Sequence, residues 1–104
     1  VFHSPVVFVP RLAAAEFTRV AHDICERLQH TKGNAVLMLP LDGTGSYACP
    51  GGALRDTQSD AAFFKALKAG VPDAIEVVER NLHAEHPDFV RECVERLIRL
   101  IENA

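Results

Sequence analysis

Two short stretches of this 104-residue chain carry residue types that do chemistry, and each directly follows an apolar run. The first is DGTGS, Asp42 to Ser46, where an acid and two hydroxyls interleave with Gly43 and Gly45 after the run Ala35 to Leu41. Backbone N–H groups at such glycines, with the hydroxyls of Thr44 and Ser46, can cradle a phosphate or a carboxylate at a strand end. The same residues can equally make a tight turn that needs positive φ, and the residues alone leave both readings open. Asp42 either points a carboxylate into a site or closes an Asx-turn on its own backbone. The loop is not a P-loop, because GxxxxGK[ST] is missing, and it does not have the spacing of a dinucleotide fingerprint.

The second stretch is LHAEHPD, which places His83, Glu85, His86 and Asp88 within six positions. All four are metal-ligand types, yet the stretch lacks the i, i+4 spacing of HExxH on a helix, and no metal is assigned to it. His83 follows an apolar segment directly and reads as a residue that hydrogen-bonds a ligand or phosphate. Cys49 stands in a Gly-rich loop with no neighbour in sequence to lower its pKa, and there is no GxSxG elbow. The sequence identifies neither a catalytic residue nor a cofactor.

These stretches must be positioned by one small domain, since 104 residues bury only about two thirds of the surface of the unfolded chain. Eleven basic and 14 acidic residues give a net charge of −3, so no basic field attracts a phosphate backbone and nucleic acid is not expected as a partner. No apolar run approaches the roughly 20 residues that span a bilayer, so no membrane association is expected. Three widely spaced cysteines without CxxC suggest neither a disulfide framework nor a thiolate zinc site, which fits a reducing, cytoplasmic setting. The chain opens at Val1 almost directly on a strand-like segment, as expected of a piece of something longer.

The apolar pattern predicts six elements. Val6 to Val9 reads as a strand closed by Pro10, and residues 11–30 as an amphipathic helix with Phe17, Val20, Ala21, Ile24 and Leu28 on one face. Ala35 to Leu41 is the second strand. A long Gly- and Pro-rich loop from Asp42 to Thr57 leads to a second helix, capped at Thr57 or Ser59 and ended by Gly70 and Pro72, with Asp56 also able to cap it. AIEVVERN reads as the third strand, and Pro87 begins a third helix whose apolar face is wide enough that it should be well covered. Cys25 and Cys93 fall on apolar helix faces. Alternation of this kind predicts an α/β, Rossmann-like or flavodoxin-like βαβαβα fold with a small parallel sheet and right-handed crossovers. All three strand-to-helix connections would then lie at one sheet edge, where open α/β sheets bind ligands.

The run PLDGTGSYACPGGALRDTQSDAAFFKAL, with IEVVERNLHAEHPDFVRECVERL after it, resembles the C-terminal part of the uncharacterised bacterial and fungal proteins related to the tomato mosaic virus resistance protein. Pro40, Leu41, Gly43, Pro50, Gly51, Gly52, Asp56, Asp60, Phe64, His83, Pro87 and Phe89 stand where that pattern has them. Departures are equally specific: Gly45 occupies a usual Ser place, Ala48 a usual Asp place, Ala53 and Leu54 replace Pro-Phe, and Glu85 and His86 replace Asn-Asp. The resemblance implies a two-domain, oligomeric protein of Rossmann-like halves, in which residues 1–104 are the C-terminal domain and pack on their own N-terminal domain. It also implies a nucleotide site on that N-terminal domain, outside these residues.

Three functions are consistent with this reading. In the first, Asp42, Gly43, Thr44, Gly45, Ser46 and His83 form one wall of a cleft for a small anionic or nucleotide-related ligand. In the second, the chain is a non-catalytic interdomain or oligomerisation module. In the third it is a hydrolase or transferase acting on a phosphorylated small molecule, for which the sequence offers no nucleophile–base pair.

Overall fold

A computed structural model describes residues 2–4, 7–8 and 11–103. Its elements in chain order are β1 (Phe2–Ser4), β2 (Val7–Phe8), α1 (Ala14–Leu28), β3 (Val36–Pro40), α2 (Thr57–Gly70), β4 (Glu76–Arg80) and α3 (Pro87–Glu102). β3 and β4 pair in parallel, with Val36 opposite Glu76 and Pro40 opposite Arg80. The α/β class and the parallel pairing are as the sequence predicts. The first strand departs from expectation: Val7–Phe8 pairs antiparallel with Phe2–Ser4 in a separate two-stranded ribbon, not with β3. A short β-branched run carries no information about its partner, and a hairpin pairing costs far less loop closure than a crossover. Val6, Val9 and Pro10 of that expected strand lie outside the described residues.

Strand parity explains how the helices are distributed. In β3 and just beyond it, Leu37, Leu39 and Leu41 point to one face, and the register adds Val77 and Glu79 of β4 to the same face. That face packs on α1 and α2: Ala21, Cys25, Phe63, Phe64 and Leu67 form one buried cluster with Leu39, which is 1% exposed. The rings of Phe17 and Phe63 stack at 3.8 Å within it, and Lys68 of α2 reaches Glu79 at 2.7 Å. The opposite face carries Glu76, Val78 and Arg80 and meets α3. There Arg80 grips Glu92 through Nε and Nη2, both at 2.7 Å, and Arg96 grips Glu76 at 2.8 and 3.1 Å. Both forks hold their carboxyls below the usual carboxylate range, the hydrogen bond from arginine being the main cause. They fix where α3 lies more than they add stability, since the groups are solvent-accessible.

Local chemistry sets the helix starts. Asp56 is the N-cap of α2 and accepts from the Ser59 N–H at 3.1 Å, so the cap is the acid and neither of the hydroxyl candidates Thr57 and Ser59. That hydrogen bond, first among several influences, lowers the Asp56 pKa. His86 caps α3 through Nδ1, which accepts from Asp88 N–H at 3.1 Å, and Pro87 takes the first helical position. Cys25 is buried as expected, but Cys93 is only half-buried, and burial pushes both thiols up.

The expected cover over α3 is not present among the described residues. Val90, Val94, Leu97, Ile98 and Ile101 are 46, 51, 57, 47 and 67% exposed. Two strands about 4.8 Å apart offer α3 a narrow floor, so it buries one stripe, around Phe89, and leaves the rest of its wide apolar face outward.

One buried charge ties the helices to the long loop. Asp60, 3% exposed in the first turn of α2, accepts from Arg11 Nη2 and lies 3.5 Å from Arg55 Nη1. Arg11 also donates to Ser59 Oγ and to the Asp56 carbonyl, and its guanidinium lies 5.4 Å from the Phe17 ring centroid. Asp60→Ala leaves two cations with no buried partner and should lower the unfolding free energy by about 3 kcal/mol, read by urea denaturation. Asp56→Asn keeps a cap acceptor but removes a carboxyl whose folded pKa is depressed. The stability that this charge contributes is present above the unfolded value and is lost as pH falls through the folded one. The difference between wild type and Asp56→Asn should therefore shrink as acid unfolding curves are taken down through and below pH 3.8.

Candidate functional site

The loops after β3 and β4 lie side by side because the strand ladder runs on past both strand ends. Leu41 N–H donates to Arg80 O at 2.8 Å, Asp42 N–H to Leu82 O at 3.2 Å, and Ala84 N–H to Gly43 O at 2.9 Å. Gly43 turns the first loop: its φ is +133°, its N–H closes on Pro40 O at 3.1 Å, and a Cβ there would stand 2.5 Å from the Ala48 carbonyl oxygen. Only glycine fits such a place. The rest of the long loop folds back on itself through Ala48 N–H to Gly45 O, Leu54 N–H to Tyr47 O and Gly52 N–H to Cys49 O, all between 2.7 and 3.1 Å. Arg55, the second cation on Asp60, donates to Ala48 O at 3.2 Å and so anchors this excursion to α2.

A groove of about 240 Å³ opens at this end of the sheet. Thr44, Gly45 and Ser46 line it on one side, and Arg11, Leu12 and Phe17 of the α1 segment line it on the other. Tyr47 and Leu54 add apolar wall, and Glu85 reaches in from the loop after β4. Of the residues expected from sequence, Thr44, Gly45 and Ser46 are therefore on the groove. Asp42, Gly43 and His83 adjoin it without lining it: Asp42 and Gly43 are engaged in the backbone ladder, and His83 Nδ1 accepts from Glu85 N–H at 3.2 Å. The PGGALRD excursion, expected only to return the chain, contributes Leu54 as well.

The electrostatics of the groove centre on Glu85. Its carboxylate accepts the Ser46 N–H, the kind of donor that a phosphate or carboxylate ligand would use. Gly45 makes room for that contact, since a Cβ there would come 3.3 Å from Glu85 Oε2. On the facing wall the Arg11 Nε is buried and has no hydrogen-bond partner, although Nη2 of the same guanidinium is fully used by α2. The groove thus has one backbone donor held by a side chain of the domain itself, with the Arg11 guanidinium among its lining groups.

Other chemistry has less support in the geometry. Cys49 donates its S–H to Ser46 O at 3.2 Å, which ties the loop together. His83 and His86 meet edge to face at 5.7 Å, with each Nδ1 accepting a backbone N–H. Among the described residues no three His, Cys, Asp or Glu side chains converge as metal ligands would, and no helix is long and apolar enough to cross a membrane.

Sequence reasoning missed Arg11 and Glu85 as groove residues. Asp60 could have pointed to the first. It shares a helical face with Phe63, Phe64 and Leu67, and an acid on a buried stripe needs a cation. The residue order marks Glu85 only as a metal-ligand type, and it is brought to Ser46 by the parallel register.

Residues 1–101 match the description Uncharacterised protein family (UPF0261) C-terminal domain. A protein of Clostridium tetani (strain Massachusetts / E88), named UPF0261 protein, is 27% identical over 101 residues, which are 96% of this chain and 25% of that relative. The chain thus spans about a quarter of the length of the curated relative it matches. With a family match that runs over nearly its whole length, the chain belongs to the uncharacterised protein family UPF0261, in the region of its C-terminal domain.

Proposed function

We propose that the groove at the strand ends is one wall of a cleft for a small anionic molecule. The observation that carries this reading is the Ser46 N–H, a loop donor at the strand end that already takes a carboxylate, in a groove that the Arg11 side chain also lines. Leu12, Phe17 and Leu54 supply apolar wall for the body of such a ligand. Gly45 and Glu85, two positions where the chain departs from the pattern it resembles, are neighbours here, so the departures act on the same few ångströms of groove.

A second reading rests on α3. Its five outward apolar side chains recur at 90, 94, 97, 98 and 101, one continuous face, and a parallel pair of strands is ordinarily extended and covered on both faces. On this reading the chain is an interdomain module, and the occupant of the α3 face is the remainder of a longer protein. The three quarters of the Clostridium tetani relative outside the match would supply such an occupant.

For the groove, titration of the isotope-labelled chain with inorganic phosphate should give saturable amide shifts at Thr44, Gly45 and Ser46. Gly45→Leu should abolish them while the thermal midpoint holds, because Gly45 has no left-handed φ and only the end of the Glu85 side chain is within 4 Å of its Cβ position. Shifts that survive in Gly45→Leu would place the anion elsewhere. For α3, Leu97→Lys should leave the stability of the 104-residue chain unchanged and lower that of a longer family protein by about 2 kcal/mol, measured by denaturant titration. Neutrality in both settings rules the module out, and a change confined to sedimentation of the short chain would make a second copy the occupant.

A further inference from the structure

The groove has an occupant of its own. Glu85 is exposed, sits on the loop after β4, and brings its carboxylate onto the Ser46 N–H across a space that Gly45 leaves open. We infer that this carboxylate is an internal stand-in for ligand: it satisfies the loop donor until a small oxyanion, phosphate or carboxylate, displaces it. The inference rests on the groove reading above and adds how the site is controlled.

Three features of the geometry support displacement over permanent attachment. The backbone of Glu85 is held independently of its carboxylate, by its own N–H on His83 Nδ1 and by the neighbouring turn in which His86 N–H donates to His83 O at 3.0 Å. The side chain can therefore leave without unravelling the loop. Glu85 is exposed, so its carboxylate gains little from burial, and surface side chains change rotamer in nanoseconds or less. The Ser46 donor is likewise fixed by the backbone around it, with Ala48 N–H on Gly45 O at 3.1 Å and Cys49 S–H on Ser46 O at 3.2 Å. The donor stays in place when its acceptor changes. An incoming oxyanion must both replace the carboxylate and bind beside its negative charge, so Glu85 lowers affinity twice over, by competition and by repulsion.

The test compares wild type with Glu85→Ala and Glu85→Gln in the 104-residue chain, using inorganic phosphate and acetate as separate probes read by the Ser46 amide shift and its hydrogen exchange. Glu85→Ala should expose the Ser46 amide to faster exchange and bind at least one probe about tenfold more tightly, the equivalent of losing one charge-assisted contact. Which probe gains more tells whether the groove takes a phosphate or a carboxylate. Glu85→Gln keeps side-chain shape and one acceptor, so it should fold like wild type and show a smaller gain. Equal affinity in all three proteins overturns the stand-in while leaving the groove reading intact. Weaker binding in Glu85→Ala also overturns it, making Glu85 a ligand-binding group. If no protein binds either probe at the loop, the groove reading fails and the stand-in with it.

Discussion

Asp60 is the point on which the rest of this small structure is arranged. A carboxylate that is almost wholly removed from water costs several kcal/mol unless cations compensate it, and here the two cations come from opposite directions in the chain. Arg11 arrives from the segment before α1 and Arg55 from the end of the loop after β3. By meeting on one carboxylate they join α1, α2 and the long loop where no strand could. Arg11 is therefore held over Phe17 and on the wall of the groove, while Arg55 reaches on to Ala48 O and keeps the loop folded.

The second constraint is the parallel register of β3 and β4. It sends Leu37, Leu39, Leu41 and Val77 to the α1–α2 side, and it puts Glu76, Val78 and Arg80 under α3. It also decides what lies beyond the strands. Because Pro40 is level with Arg80, the residues three to six places on from Pro40 fall beside those two to five places on from Arg80, which brings Ser46 and Glu85 together. Shift the register by two residues and the core faces survive, but this contact does not.

What could be read from the sequence follows this division. Helix extents, the two central strands and the glycine turn were legible because periodicity, caps and positive-φ positions are local properties, fixed by residues near one another. Asp56 was recognisable as a cap for that reason. The pairing of Val7–Phe8 with Phe2–Ser4 was not, since an apolar run says that a strand is buried and not which strand lies next to it. The outward face of α3 was misread for a related reason: a wide apolar stripe states that cover is needed, and only the width of the sheet beneath decides whether the same chain supplies it. Within the groove, Thr44, Gly45 and Ser46 were visible as a loop at a strand end, whereas Arg11 and Glu85 enter through a buried ion pair and a strand register.

Shape and chemistry at the loop are consequently separable. Its shape comes from backbone: Gly43 with its positive φ, the Gly45–Ala48 and Tyr47–Leu54 hydrogen bonds, and the ladder that continues to Ala84. None of these depends on what the groove holds. Its chemistry depends on two side chains attached from outside the loop, the Arg11 guanidinium and the Glu85 carboxylate, which have opposite charge and face the same small volume. Arg11 is immobilised by Asp60, Ser59 and the Asp56 carbonyl, and Glu85 is exposed. Two side chains of opposite charge beside one loop set its local field, and that field changes with either side chain without any change in backbone. A substitution at position 85 would then change the charge beside the loop, while the buried charge balance at Asp60 stays as it is.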